Sequence, residues 1–431
     1  MNDLHNAKVT VLGLGLHGGG VESVRYLARH GARVTVTDMK PAERLAASIA
    51  AIEGLTERQR FGGHDAEDMR SADFVVKNPA LPRRAEILAH ARRIETDISL
   101  FLARFDGPLV AVTGSKGKSS VSSLIHAGLK TEHPYARLGG NITVSPLSFI
   151  DEMVPDAPVV LELSSFQLGD LALCGSVRSG TVSLHPRVAV ITNIFADHQN
   201  YYNDDMDAYV RDKEYIFASG TEDDVLVIGS EEPWTSRFKA RARGRVVHVP
   251  PEGNPRQQNI RLAEVALEAL GVSGPKVREA LEAFPGLEHR LEYVTTREDV
   301  RYYNDSASTV PEATAGALQA IGAQQTVLIT GGTDKHLDLS GFADHVRDAR
   351  AIVLLSGSAT ERMRAILEAR GIRYFGPFDE LRDALMQANT LASPGNAVVF
   401  SPAAASFELF ENEFARGREF KRLVDALPHP L

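Results

Sequence analysis

Short, continuous apolar runs rich in β-branched residues alternate along this chain with longer segments of helical periodicity. The runs Val9–Leu12, Val34–Thr37, Phe74–Val76, Leu109–Thr113, Val159–Leu163, Val188–Thr192, Val225–Ile228, Thr326–Thr330, Ala351–Leu355 and Ala397–Ser401 each read as a strand. A strand that is apolar at every position has no solvated face and must be covered on both sides. Helices between such strands supply both covering layers and make the pairing parallel. The pattern predicts an α/β protein with several doubly wound sheets. A chain of 431 residues has room for roughly two to four domains with sizeable cores. Gly107-Pro108 and the stretch from Pro285 to Glu292 read as places where a sheet restarts, and Pro250 to Gln258 reads as an exposed loop.

Composition removes several classes of function. The formal net charge is −9, which speaks against a nucleic acid or an anionic membrane as partner, since both reward basic surfaces. A small anionic substrate stays open, because a local basic pocket suffices. Cys174 is the single cysteine, so there is no internal disulfide, no Cys/His spacing for zinc, and the residue reads as a small core side chain. No apolar run reaches the roughly 18 residues that span a bilayer. The polar segment Met1 to Lys8 lacks the pattern of a signal peptide. A cytoplasmic protein is expected.

Two glycine-rich turns carry the chemistry. The first, VTVLGLGLHG, places Gly13, Gly15 and Gly18 after a strand, and Asp38 follows about 20 residues later. Glycines let the backbone approach phosphates, the next helix offers free N–H groups, and Asp38 can accept from a ribose hydroxyl. Alone, this element suits NAD(P), another nucleotide, or a tight turn without ligand. The second turn, LVAVTGSKGKSS, runs strand, loop, helix from Leu109 to Ser120. Val112 occupies the place of the first glycine in the usual P-loop spacing, leaving T-G-x-x-G-K-S. Gly114 and Gly117 permit a backbone nest around phosphate, Lys118 neutralises it, and Ser119 can ligate Mg²⁺. Two phosphate sites imply two nucleotide-bearing ligands: ATP at the second turn and a nucleotide-linked substrate at the first.

Further motifs follow in order: GGNIT at Gly139–Thr143, LELSSFQL at Leu161–Leu168, ITNIFADH at Ile191–His198, YVRDKEYIF at Tyr209–Phe217, GLEHRLE at Gly286–Glu292, NDSAST at Asn304–Thr309, GGTDKHLDL at Gly331–Leu339 and SPAAASFELF at Ser401–Phe410. With both turns they make the chain resemble the Mur ligases, most closely the MurD type, which joins glutamate to UDP-N-acetylmuramoyl-L-alanine through an acyl phosphate. The resemblance covers nearly the whole chain. It implies a Rossmann-like UDP-binding domain at 1–96, a central P-loop-type ATPase domain with a parallel sheet at 97–286, and a Rossmann-like amino-acid-binding domain at 287–431.

The resemblance also assigns residues. Leu16, His17, Asp38 and Asn78 are expected near uridine and diphosphate, with His17 standing where a hydroxyl residue is common. Gly114, Ser115, Lys116, Gly117, Lys118, Ser119 and Ser120 are expected around the ATP phosphates, with Asn259, Arg290 and Asp305 near adenine, γ-phosphate and ribose. Asn141 and Ser164 match substrate contacts. Ser119 and Glu162 match ligands of one Mg²⁺, and His198 and a carbamylated Lys213 ligands of a second. Lys118, His198 and Lys213 are the expected catalytic set. Thr309, Lys335 and Ser406 match positions near the glutamate.

Departures fall at the adenine and amino-acid sites. Ala307 replaces a lysine, Pro255 and Arg256 replace a His-Asn pair, and Glu413 stands where an aromatic is usual. These bear on the choice of amino acid, D-glutamate or L-glutamate, more than on the reaction. The expected partners are small molecules, with no nucleic acid and no membrane, and the chain is expected to act as a monomer. A folylpolyglutamate synthase-like ligase and an NAD-dependent dehydrogenase are the alternatives. The first lacks the N-terminal uridine domain, and the second leaves Lys118, Glu162 and His198 unexplained.

Overall fold

The computed structural model describes residues 4–15, 18–142, 144–174, 183–195, 197–334 and 339–427. Leu16, His17 and Lys335 lie outside these residues. The chain divides into two compact units, Met1–Phe284 and Pro285–Leu431.

Among the described residues the first unit holds two wholly parallel sheets. One is built from β1 (Lys8–Leu12), β2 (Arg33–Asp38), β3 (Arg58–Phe61), β4 (Phe74–Lys77) and β5 (Ile94–Glu95), in the order β3-β2-β1-β4-β5. The other comprises β6 (Leu109–Thr113), β7 (Arg137–Gly140), β8 (Val159–Glu162), β9 (Val188–Ile191), β10 (Val225–Ile228) and β11 (Arg245–His248), in the order β11-β10-β9-β6-β8-β7. The apolar side chains of β6, β8 and β9 are buried throughout, as strands with helices on both faces require.

The second unit differs from the expected parallel pattern. Its sheet contains β12 (Glu292–Arg297), β13 (Val300–Asn304), β14 (Thr326–Thr330), β15 (Ala351–Leu355), β16 (Phe375–Phe378) and β17 (Ala397–Phe400), in the order β12-β13-β17-β14-β15-β16. The pair β12 and β13 is antiparallel. Glu298 and Asp299 join them with φ of 51° and 60°, the left-handed pair a two-residue hairpin turn needs. This sheet is therefore mixed.

The loop expected over Pro250 to Gln258 ends earlier, at Asn254. The Asn254 side chain accepts from the Gln257 N–H, Gln257 reaches back to the Asn254 N–H, and Pro255 opens the helix Pro255–Ala269. This capping box, with proline at the first helical position, is a strong start signal. Among the described residues no helix is long and apolar enough to cross a membrane.

Candidate active site

In an open α/β sheet, ligands bind where the strand order reverses, beyond the carboxyl ends of the strands. In the first sheet that point lies between β1 and β4. Asn78, just after β4, donates from Nδ2 to the Gly13 carbonyl at 3.2 Å and accepts the Ala80 N–H at 3.0 Å. Asp38, at the end of β2, accepts the Gly15 N–H at 3.0 Å and the Lys40 N–H at 2.8 Å, one on each oxygen. Asp38 thus braces the turn, and each oxygen keeps a lone pair for a ribose hydroxyl. The helix Gly19–Arg29 starts directly behind, its cap Gly18 at φ 86°.

The second turn is held more tightly. Gly114 has φ 144°, and a Cβ there would lie 1.9 Å from Thr192 Oγ1. The loop is pressed onto the end of β9. Ser115 N–H donates to the Asn193 carbonyl at 2.9 Å, and Lys116 N–H to Asn193 Oδ1 at 2.8 Å. Thr192 Oγ1 and Asn193 Nδ2 both donate to the Lys116 carbonyl, at 2.6 and 3.0 Å. Ser115 Oγ accepts the Phe195 N–H at 2.9 Å and meets the Tyr209 hydroxyl at 2.8 Å. Lys118 opens the helix Lys118–Leu129, and its ammonium lies 3.0 Å from both the Gly114 and Ser115 carbonyls. Ser119 and Ser120 sit in the first helical turn. Asn259 lies alongside, since a Cβ on Gly117 would come within 2.8 Å of its Oδ1.

Register brings a carboxylate to the same place. Glu162 ends β8, paired with Val112 on one side and Gly140 on the other. Its Oε1 accepts from Asn141 Nδ2 at 2.8 Å, while Oε2 is buried with no hydrogen-bond partner among the described residues. An unsatisfied buried acceptor costs about 1–3 kcal/mol, more when charged, and a divalent cation would satisfy it. Ser164, two residues on, donates from Oγ to Gln167 Oε1 at 3.2 Å and caps the next helix.

Lys213 is 1% exposed, against the surface position that a charge-rich helix suggests. Its Nζ donates to the Gly114 carbonyl at 2.8 Å and lies 4.6 Å from the centre of the Tyr209 ring. Burial first, and the nearby Lys118 charge second, push its pKa well below the usual lysine value. His198 takes φ 55° and packs against Phe166 at 4.7 Å. Burial lowers its pKa, with Asp197 opposing and Lys118 adding to the fall. A neutral imidazole is the metal-binding form. Lys116 pairs with Asp197 at 3.3 Å.

The second unit gathers its own cluster. Strands β13, β17 and β14 are neighbours, so the segments that follow them, NDSAST, SPAAAS and GGTD, emerge side by side. Asp305 accepts from Leu291 N–H at 2.9 Å, Ser308 Oγ at 2.5 Å and Ser401 Oγ at 2.7 Å, and burial still pushes its pKa up to about 6. Arg290 is exposed and Thr309 half-buried. Ser406 is buried, with its hydroxyl unpartnered among the described residues.

Several residues that sequence reasoning passed over hold these loops. Arg416, fully buried, donates to the carbonyls of Ala405 at 2.9 Å, Ser306 at 2.8 Å and Ala404 at 3.1 Å. Its signal was available: it shares the apolar face of the helix Glu413–Asp425 with Gly417, Phe420 and Val424. Tyr209 and Thr192 gave no such signal. The departures have local structural roles. Glu413 sits in the first turn of that helix, where the dipole favours an acid, and Arg256 donates to the carbonyls of Glu282 and Phe284 at 3.0 and 2.8 Å.

Three family descriptions tile the chain: a Mur ligase MurD-like N-terminal domain over residues 7–99, a Mur ligase middle domain over 112–278, and a Mur ligase glutamate ligase domain over 289–404. A protein of Borreliella afzelii named UDP-N-acetylmuramoylalanine–D-glutamate ligase is 39% identical, with 99% of both chains covered. Its namesake from Treponema pallidum is 36% identical, with 98% of each covered. The chain belongs to the Mur ligase family, in its MurD branch. Solved Mur ligases share the fold at low identity: MurC of Thermotoga maritima (TM-score 0.62, 18% identity, 98% of this chain and 100% of that one) and MurF of the same organism in complex with ADP (0.60, 14%, 99% and 100%). E. coli FolC, at TM-score 0.54 and 19% identity, covers 77% of this chain and 92% of its own. The folate-type alternative fits this Mur ligase less well.

Proposed function

We propose that the chain is an ATP-dependent, ADP-forming ligase that joins D-glutamate to UDP-N-acetylmuramoyl-L-alanine in the cytoplasmic synthesis of peptidoglycan precursors, and so serves cell-wall growth, shape and division. The observation that carries this reading is one site combining a glycine-rich phosphate loop, Lys118, and a buried carboxylate oxygen of Glu162 that lacks a donor among the described residues. The names of the full-length relatives support the substrate and D-glutamate over L-glutamate. The working division is 1–96 for the UDP-linked substrate, 97–286 for ATP and 287–431 for glutamate, in a monomer.

The acceptor carboxylate attacks the γ-phosphorus, ADP leaves, and an acyl phosphate forms. The glutamate amine, having lost its proton, adds to the acyl carbon, and phosphate departs from the tetrahedral intermediate. Charge builds on phosphoryl oxygens in the first step, so the N–H groups from Gly117 to Ser119, where the helix Lys118–Leu129 begins, and the Lys118 ammonium would do most of the stabilising. Mg²⁺, when bound, neutralises the same oxygens. The oxygen donors suit a hard cation: Ser119 and Glu162 would hold one ion, and a Lys213 carbamate, with the His198 imidazole beside it, a second. Burial shifts Lys213 toward the amine form, the form that adds to CO₂. Its nitrogen bonds to the carbon, a proton passes to water, and an uncharged side chain becomes an anionic ligand. Asn141, bonded to Glu162, and Ser164, two residues beyond it, would orient the acceptor. Asp38 and Asn78, with Leu16 and His17, would hold the UDP end. Asn259 beside Gly117 would border adenine. In the C-terminal unit, Arg290 and Asp305 would serve γ-phosphate and ribose, and Thr309, Lys335 and Ser406 the glutamate.

The test is a panel of D- and L-glutamate, aspartate and lysine with ATP, Mg²⁺ and the UDP-linked acceptor, read by product mass. Addition of one D-glutamate, with loss of one phosphate from ATP, is expected. A product with another amino acid, or none, overturns the assignment.

A further inference from the structure

The segment after β4 reaches from the first sheet of its unit into the helices around the phosphate loop. Arg83 is 26% and Asp212 12% exposed at the side chain. The guanidinium faces the carboxylate with both terminal nitrogens, Nη1 to Oδ1 at 3.1 Å and Nη2 to Oδ2. Nη1 also donates to the Gly169 carbonyl at 3.2 Å, and the Tyr201 hydroxyl lies 3.4 Å from Nε. Tyr202 donates its hydroxyl to Asp212 at 2.8 Å. Gly169 leaves the room: a Cβ there would come within 2.5 Å of Arg83 Nη1 and 2.7 Å of Asp212 Oδ2. The adjacent Asp170 pairs with Lys77 at 2.6 Å, both side chains 1% exposed, which fixes the helix Ser165–Cys174 under the guanidinium. A forked, partly desolvated pair of this kind sets geometry as well as attraction.

Asp212 precedes Lys213 on the helix Met206–Glu214. Three residues before Asp212 on that helix, Tyr209 holds Ser115 of the phosphate loop. We infer that Arg83 is a positioning residue: by gripping Asp212 it fixes the rotation of this helix and so sets Lys213 beneath the Gly114 carbonyl. The inference rests on the role proposed above for Lys213. Asn78 begins the same segment and is tied to Gly13, so the grip also joins the seat of the UDP-linked substrate to the metal side of the site.

The test uses the full-length chain with Arg83→Met, Arg83→Lys and Gly169→Ala, the last displacing the guanidinium while keeping its charge. Steady-state ADP formation in the presence of acceptor, D-glutamate and Mg²⁺ should show kcat lowered about tenfold or more in Arg83→Met and Gly169→Ala, with both substrate KM values within about twofold, because an orienting contact acts on the transition state. Arg83→Lys should fall between these and wild type. Hydrogen exchange of the amides from Tyr209 to Lys213 should quicken about tenfold in Arg83→Met. An unchanged kcat in a folded variant, a change in KM alone, or unchanged exchange in that helix overturns the inference. If wild type forms no ADP with this acceptor, the reaction reading has failed, and the exchange comparison still decides whether Arg83 seats the helix.

Discussion

The two glycine-rich turns of the first unit use the same device, a parallel strand feeding a loop that opens a helix, and they differ in what braces the loop. The first is held by carboxylate and amide side chains, Asp38 and Asn78, that stay with acceptor capacity to spare. The second is clamped by the end of β9 through Thr192 and Asn193, carries Lys116 and Lys118, and stands beside the unsatisfied oxygen of Glu162. A turn that only holds a ligand can rely on N–H groups and on side-chain acceptors such as Asp38 and Asn78. A turn where phosphoryl charge develops needs fixed cations and a place for a metal. The contrast lies in charge and bracing, since the backbone motif is shared.

Changes at the second turn should therefore act on rate as well as on nucleotide binding, and changes at the first on acceptor binding alone. The largest effect is expected for Lys118→Ala, a loss of about 10³-fold in kcat measured as ADP release; a loss confined to KM would erase the distinction between the turns. Lys213→Ala should cost about 10²-fold in kcat, of the order seen when a metal-site group is lost. Acetate or formate at high concentration should partly restore it, and no recovery together with near-normal activity would remove the carbamate. Glu162→Gln keeps shape and removes charge. It should raise the Mg²⁺ concentration for half-maximal activity about 10- to 100-fold, while leaving the acceptor KM near wild type. The smallest effect is expected for Asp38→Asn, whose amide presents a donor to an N–H group. The acceptor KM should rise up to about tenfold, the equivalent of one lost hydrogen bond, with kcat unchanged.

Legibility in the sequence followed burial. The strands read from it are interior strands of the three sheets, whose both-face burial demands unbroken apolar runs. The edge strands β3, β5, β7, β11, β12 and β16 escaped, because an edge has one open side and tolerates sequences such as RQRF, RLGG and EYVTTR. The interior strand β13, VRYYN, escaped because its buried and half-buried positions alternate. At the site, the phosphate loop was legible because glycine, lysine and hydroxyl must fall in one local order. The bracing was not. Thr192, Tyr209 and Arg416 act through contacts between distant segments, and only the fold brings those together. Lys213 shows the limit most clearly. Its neighbours Arg211 and Glu214 make the helix look solvated, yet the side chain points inward to the Gly114 carbonyl.

The central claim is that a nucleoside triphosphate docks at the turn from Gly114 to Ser119 with a divalent cation beside Glu162. Calorimetric titration of the full chain with a non-hydrolysable ATP analogue, with and without Mg²⁺, tests it most directly. Binding to wild type that strengthens with Mg²⁺ and is lost in Lys118→Ala is the expected result. Equal binding in wild type and Lys118→Ala, or no response to Mg²⁺, would contradict it.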